Sequence, residues 1–314
     1  MRREGRVLRD YLVQDVEDPR INVQSILTRH FLIGAAFGNR FDGVMDSELR
    51  FAVAANWLLG LLKSGVGRAQ FDSLRVALLS GRTPAAGPAV PRCVSEAFFR
   101  RSLPCVRRLL DLDESHVATA SLPEHALDAF SDKWADLLSG VPAAGVSVVE
   151  PACGSANDYR FLHAFGLADR IDYLGFDLCE KNVANAIAMF PETRFEPGNV
   201  LSIRAPADAF DYCIIHDLFE HLSPAGLEVA IREVCRVTRK GICAGFFNMS
   251  DEPEHVVRRV RDYHRSRLSA PRIKAAFACH AATVEIMHIH TLLRGRFDFD
   301  GTHNRNAYTL FVRF

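Results

Sequence analysis

No stretch of about 18 uncharged apolar residues occurs anywhere in this chain of 314, which excludes a membrane-spanning helix. Neither charge is in excess, since 38 Lys and Arg balance 38 Asp and Glu. Before Val146 there are 18 basic and 17 acidic residues, and from there onward 20 and 21, so neither part reads as a basic platform for nucleic acid. The eight cysteines show no CxxC pair and no His at metal-ligand spacing, which argues against structural zinc and for reduced thiols in a cytoplasm. The opening segment MRREGRVLRDYLVQDVEDPR is charged and has no apolar signal core, so export is not expected. Internal repeats are absent, and the abundance of Ala and Arg hints at a GC-rich bacterial source.

What the chain does contain is a strand running into a turn of small residues and then a helix: VSVVEPACGSANDYRFL, Val146 to Leu162. Val146, Val148 and Val149 read as a buried parallel strand with Glu150 at its carboxyl end. Ala152, Gly154 and Ala156 leave room for backbone to approach a ligand, and Gly154 is expected to carry the closest approach. A second strand, YLGFD, ends in Asp177, 23 residues after Gly154, near the spacing of about 20 at which an acid meets a ribose hydroxyl pair. A nucleotide-type ligand fits this pattern. Cys153 reads as a small filler of the turn, because nothing pairs it with a base.

These residues resemble the class I S-adenosylmethionine-dependent methyltransferases, over roughly Val146 to Phe314. The resemblance implies that Glu150, the turn Ala152, Cys153 and Gly154, and Asp177 hold S-adenosylmethionine, with Leu178, Asn199, Val200 and His216 around them. Asn199 stands where the family often has an acid bonded to the adenine amino group, and its amide oxygen can accept the same bond. The turn departs from GxGxG, with alanines in place of the first and third glycines.

The runs RFEPGNVLSI, FDYCIIHDL and KGICAGFF alternate with helical segments, the signature of a mostly parallel sheet. ATVEIMHIHT and NAYTLFVRF resemble the family's last two strands, of which the final one is antiparallel. The expected architecture is therefore α/β: a Rossmann-like class I methyltransferase domain over 146–314 behind a helical region over 1–145 that covers the ligand, builds an acceptor pocket or forms a homodimer. Within 1–145, VQSILTRHFLIGAAF, DSELRFAVAANWLLGLLKSG, AQFDSLRVALLSG and PEHALDAFSDKWADLLSG carry apolar residues near a 3.6 period. Leu49, Val53, Trp57 and Leu61 recur at every fourth position, and Gly65 reads as a stop. GRTPAAGPAVP, Gly81 to Pro91, reads as a linker.

Catalytic groups are expected at the carboxyl ends of the strands. The fourth strand delivers HDLFEHL, placing His216, Asp217, Glu220 and His221 within six residues. Methyl transfer from a sulfonium is an in-line displacement, so the enzyme aligns donor and acceptor and, where needed, removes a proton. His216 is the first candidate base and His221 the second, with Asp217 and Glu220 orienting the acceptor. The competing role for this EH pair is to hold the loop. Ser223 and Pro224 read as the start of the next helix, closed by Arg239, Lys240 and Gly241, while Phe246, Phe247 and Asn248 line the acceptor side. Tyr263 and His264 are placed on a further helix, one face of which carries Arg258, Arg259, Arg261, Arg265, Arg267, Arg272 and Lys274 against Asp262. His288 and His290 share a strand face without a third ligand at suitable spacing, so no metal is expected.

The expected function is methylation of nitrogen or oxygen on an enclosed small molecule, in the manner of bacterial specialised metabolism. Methylation of RNA or protein, docked on the arginine-rich segment, is the alternative that steep salt dependence would favour. A catalytically silent scaffold has no need of both Glu150 and Asp177.

Overall fold

A computed structural model describes residues 18–80, 82, 90–95, 107–261, 263–301 and 304–314. The charged opening segment up to residue 17 and most of the Gly81 to Pro91 linker lie outside the described residues. Seven strands form one sheet: β1 (Val146–Pro151), β2 (Ile171–Asp177), β3 (Arg194–Pro197), β4 (Phe210–His216), β5 (Thr238–Phe246), β6 (Thr283–His288) and β7 (Tyr308–Arg313). Their order across the sheet is β6, β7, β5, β4, β1, β2, β3. β1 to β5 run parallel to their neighbours, and β7 is inserted antiparallel between β5 and β6. Chain order reverses between β1 and β4, and a ligand crevice opens at the carboxyl ends there.

The principal helices before the sheet are α1 (Val23–Phe37), α2 (Asp42–Lys63), α3 (Arg68–Ser80) and α4 (Ala129–Ser139). Asn22 caps α1 by accepting the Ser25 N–H. α2 is buried on several sides, with Phe51 and the run Ala52 to Ala55 fully enclosed, so it is the centre of the helical layer. Its Glu48 is wholly buried and satisfied from three directions: Arg29 at 2.5 Å, His30 at 2.8 Å and the Trp134 indole at 2.7 Å. Burial alone would raise this carboxyl, but the Arg29 charge and the His30 hydrogen bond overcome that and hold it at about 2. The same Arg29 guanidinium lies 3.8 Å from the Phe165 ring centroid. Helices and sheet share one apolar core, because the cluster from Ile21 to Trp134 continues into Val148, Ile214 and Cys243.

Within and after the strands come α5 (Tyr159–Ala164), α6 (Glu180–Met189), α7 (Pro224–Val237), α8 (Ala270–Ala278) and α9 (Ile289–Phe297). Ser223 caps α7 with Pro224 in its first turn, and Leu227, Ile231 and Val234 are buried in the second core on the opposite sheet face. Three expectations need correction. Arg239 and Lys240 do not close that helix: they lie in β5 and pair with buried Asp211 of β4 at 2.9 and 2.7 Å. His290 does not share a strand face with His288, because β6 ends at His288 and His290 begins the next turn of chain in α9. His288 stacks on Tyr308 with centroids 4.4 Å apart. The arginine-rich segment is not a helix before Ala270: Arg259–Val260 and Tyr263–His264 form an antiparallel ribbon. Among the described residues no helix is long and apolar enough to cross a membrane.

Candidate cofactor and acceptor site

The turn after β1 alternates in handedness. Ala152, Gly154 and Ala156 have φ of 58°, 56° and 60°, all in the left-handed region that favours glycine. Two of these positions hold alanine, whose single methyl keeps the turn open at the cost of some backbone strain. A Cβ on Gly154 would come within 2.7 Å of the Asn157 side-chain amide, which would have to turn aside to make room. The Cys153 N–H donates to the Phe176 carbonyl, and its thiol, almost fully buried, is pushed up by burial and by Glu150, which removes it as a nucleophile.

Asp177 fastens this turn to β2. One carboxylate oxygen accepts the Gly154 N–H at 2.9 Å, and the other accepts the Cys179 N–H at 2.8 Å and the Asn182 amide at 3.2 Å. Next to it Leu178 is 75% exposed, a large apolar surface at the mouth of the crevice that a planar base would cover. Asn199 is exposed, and its amide oxygen accepts the Leu201 N–H, leaving the amide NH₂ as its outward group; Val200 is buried. Glu150 is buried and accepts the Tyr173 hydroxyl at 2.5 Å. Burial first, then the negative charge of Asp158, raises the Glu150 carboxyl well above its ordinary value. Tyr173 and Asn182 were not anticipated as members of the site, since their sequence context marks only a strand and a helix.

His216 differs most from its expected role. Its Nδ1 is hydrogen-bonded to the carboxylate of Asp158, and its Nε2 lies 2.9 Å from Thr28 Oγ1. The Thr28 hydroxyl donates its own proton to the Gln24 carbonyl at 3.1 Å, so it receives one from Nε2. Both ring nitrogens therefore carry hydrogen. Burial alone would lower this imidazole, but Asp158 outweighs it and raises His216 to about 9. Held in its charged form by Asp158, the ring is less suited to take a proton than its place after β4 suggested. Gly245 gives the ring its place, because a Cβ there would stand 2.1 Å from His216 Cδ2.

Glu220 also leaves the role expected of it. It is wholly buried and accepts the Phe247 and Asn248 N–H groups at 2.8 and 3.1 Å, so it ties the loop after β5 and does not face an acceptor. Burial raises it to about 8. Asp217, in contrast, is exposed at the mouth with φ 52°.

His221 has the geometry of a base. Its Nδ1 donates to the His264 carbonyl at 3.0 Å, which fixes the tautomer and leaves Nε2 with no partner among the described residues. The ring lies between Phe247 and Tyr263, at centroid distances of 5.4 and 5.8 Å. Phe247 and Tyr263, expected to line the acceptor side, both pack against the His221 ring, Tyr263 from the ribbon instead of a helix. Over the carboxyl end of β5 and the amino end of the antiparallel β7 lies α1, whose Gln24 amide donates to the Phe246 and Tyr308 carbonyls at 3.0 and 2.7 Å. Among the described residues no group of three or more His, Cys, Asp or Glu side chains is arranged to hold a metal ion.

Residues 148–241 match the model of a family described as a methyltransferase domain. No curated protein matches the chain. Among solved structures, the chain is similar to an S-adenosylmethionine-dependent methyltransferase from Mesorhizobium loti at 16% identity and TM-score 0.43, over 58% of this chain and 97% of that one. It is also similar to a chain in the complex between the Haloferax volcanii Trm112 methyltransferase activator and a methyltransferase, at 17% identity and TM-score 0.41, over 59% and 88%. A third, Haemonchus contortus phosphoethanolamine N-methyltransferase 2 in complex with S-adenosyl-L-methionine, shares 10% identity at TM-score 0.40, over 58% and 51%.

Proposed function

Taking as premise that this chain is an S-adenosylmethionine-dependent methyltransferase of the class I superfamily, we propose that it methylates nitrogen or oxygen of a small acceptor, with His221 removing the proton. The observation that carries this reading is the meeting, at one end of the sheet, of the left-handed turn and Asp177 with a histidine whose Nε2 is open. The donor supplies an activated methyl group when bound. Asp177 and the turn hold its ribose, Leu178 covers the adenine face, and Glu150 at the end of β1 lies beside the turn as a hydrogen-bonding group for the methionine part. His216 acts as a fixed cation that positions Asp158 and locks β4 to α1. The cover that α1 makes over the ends of β5 and β7 where Gln24 binds supports an acceptor held against the sheet. Seven described cysteines without a disulfide support a reducing, cytoplasmic setting.

Calorimetric titration with S-adenosylmethionine and S-adenosylhomocysteine tests the cofactor assignment. Asp177→Ala removes a charge-assisted contact and the anchor of the Gly154 turn, so affinity for both should fall by a factor corresponding to roughly 1.5–3 kcal/mol. Unchanged affinity would refute the ribose assignment.

A further inference from the structure

The ribbon from Val256 to Arg267 carries a charge arrangement that folding alone does not explain. Arg259 pairs with His264 and Val260 with Tyr263, and the bridge between Val256 and Arg267 continues the same register, so Arg258 stands directly opposite Arg265. The Arg265 N–H to Arg258 carbonyl bond of 2.8 Å agrees with that pairing. Alternation along each strand puts Arg258, Arg265 and Arg267 on one face, together with Tyr263. All four are exposed, whereas Ser266 on the other face is buried against the body of the protein.

Like charges directly opposite each other destabilise a strand pair. Several exposed arginines elsewhere are neutralised, Arg194 by Asp172, Arg239 by Asp211 and Arg272 by Glu254, and those that are not, such as Arg204 and Arg305, do not face a second arginine across a strand pair. The side chains of Arg258, Arg265 and Arg267 have no hydrogen bond or ion pair among the described residues; Asp262 at the turn lies outside them. At the tip, Arg261 holds φ 53°, a conformation that glycine or asparagine adopts at lower cost. The ribbon is also fastened to the reaction end of the sheet. His264 offers its carbonyl to His221, the Ser266 N–H donates to the Glu220 carbonyl at 2.9 Å, and Leu268 N–H donates to Asn248 at 2.9 Å.

We propose that the Arg258 and Arg265 pair, with Arg267 beside it, grips a phosphate group of the acceptor and so presents its nucleophile to His221. Two arginines on directly opposite residues of one strand pair can bring both forks to the oxygens of one phosphate, and bidentate pairing supplies orientation as well as attraction. Tyr263 gives the same molecule an apolar surface between the phosphate and the base. This deepens the methyltransferase reading and rests on it for the acceptor's role, although the anion site is measurable without turnover.

The test is titration of the full chain, loaded with S-adenosylhomocysteine, with inorganic pyrophosphate at low salt, followed by calorimetry. Saturable binding is expected, weakened by roughly tenfold or more in R258A/R265A, less in R258K/R265K, and unchanged in R194A, whose arginine is exposed but paired. Affinity for S-adenosylhomocysteine and the melting temperature should be the same in all four proteins, since the substituted side chains are exposed. No saturable binding, or equal weakening by R194A, overturns the proposal. A short single-stranded oligoribonucleotide that binds more tightly than pyrophosphate, with a steep salt slope, overturns the small acceptor and assigns the ribbon to a polymer. If pyrophosphate binds and S-adenosylhomocysteine does not, the cofactor reading fails while the anion site stands.

Discussion

Replacing Asp158 by Asn removes the carboxylate on which the charge of His216 depends, while keeping the side chain's shape. The distance from an ordinary histidine value of 6.5 to about 9, at ~1.4 kcal/mol for each tenfold, corresponds to about 3 kcal/mol of preference for the charged ring in the folded protein. Because the folded value lies above the unfolded one, this stabilisation is complete below about pH 6.5 and is lost as pH rises toward 9. Urea unfolding of Asp158→Asn beside the parent protein should therefore show a gap of up to about 3 kcal/mol near pH 6 that closes in alkaline buffer. The ring is only slightly exposed, so solvent screening takes back little of this. NMR titration of the His216 ring gives an independent reading. A gap that is the same at acid and alkaline pH, or a His216 that titrates at or below its ordinary value in the parent, would refute the imidazolium and return His216 to the list of candidate bases.

Two further variants separate chemistry from stability. His221→Gln should lower kcat by roughly 10²–10⁴ while leaving S-adenosylhomocysteine affinity intact, and turnover that survives the change would mean the acceptor loses its proton without help from this ring. Glu48→Gln leaves the Arg29 guanidinium buried without its counter-charge, and thermal or urea unfolding should register a loss of roughly 3–5 kcal/mol. With Glu48 held at about 2 in the fold against 4.5 unfolded, the parent should lose stability as pH falls through that interval, and the variant should lose less.

The strand, the turn and the acid that fastens it, on which the cofactor proposal rests, were legible in sequence because they are local. Val146 to Ala156 declares a strand and a turn by residue size alone, and Asp177 declares itself by its distance from Gly154. The antiparallel final strand was implied by the resemblance of NAYTLFVRF to the family's last strand, and its pairing with β5 and β6 bears that out. What escaped is what depends on distant contacts. Asp158 and Thr28 meet His216 across 58 and 188 residues of chain, and only that meeting turns a candidate base into a cation. The choice between His216 and His221 likewise rested on which nitrogen a carbonyl from His264 would occupy. Arginine's high helix propensity favoured a helix over Arg258 to Lys274, but Val256, Val257, Val260 and Tyr263 are β-branched or aromatic, and they prevailed as a ribbon. Arg239 and Lys240 look like cations closing a helix, and buried Asp211 instead draws them to the foot of β4.

The single amide of Gln24 spans the carbonyls of Phe246 and Tyr308, and so clips α1 to two strands that run in opposite directions. Moving α1 outward would strand both oxygens and break the His216 to Thr28 bond, whereas the ribbon is joined to the sheet at its base by a few backbone bonds. The two sides of the crevice are therefore unequal in stiffness: the α1 side is riveted through side chains to the core, and the ribbon side leans chiefly on bonds to its own backbone.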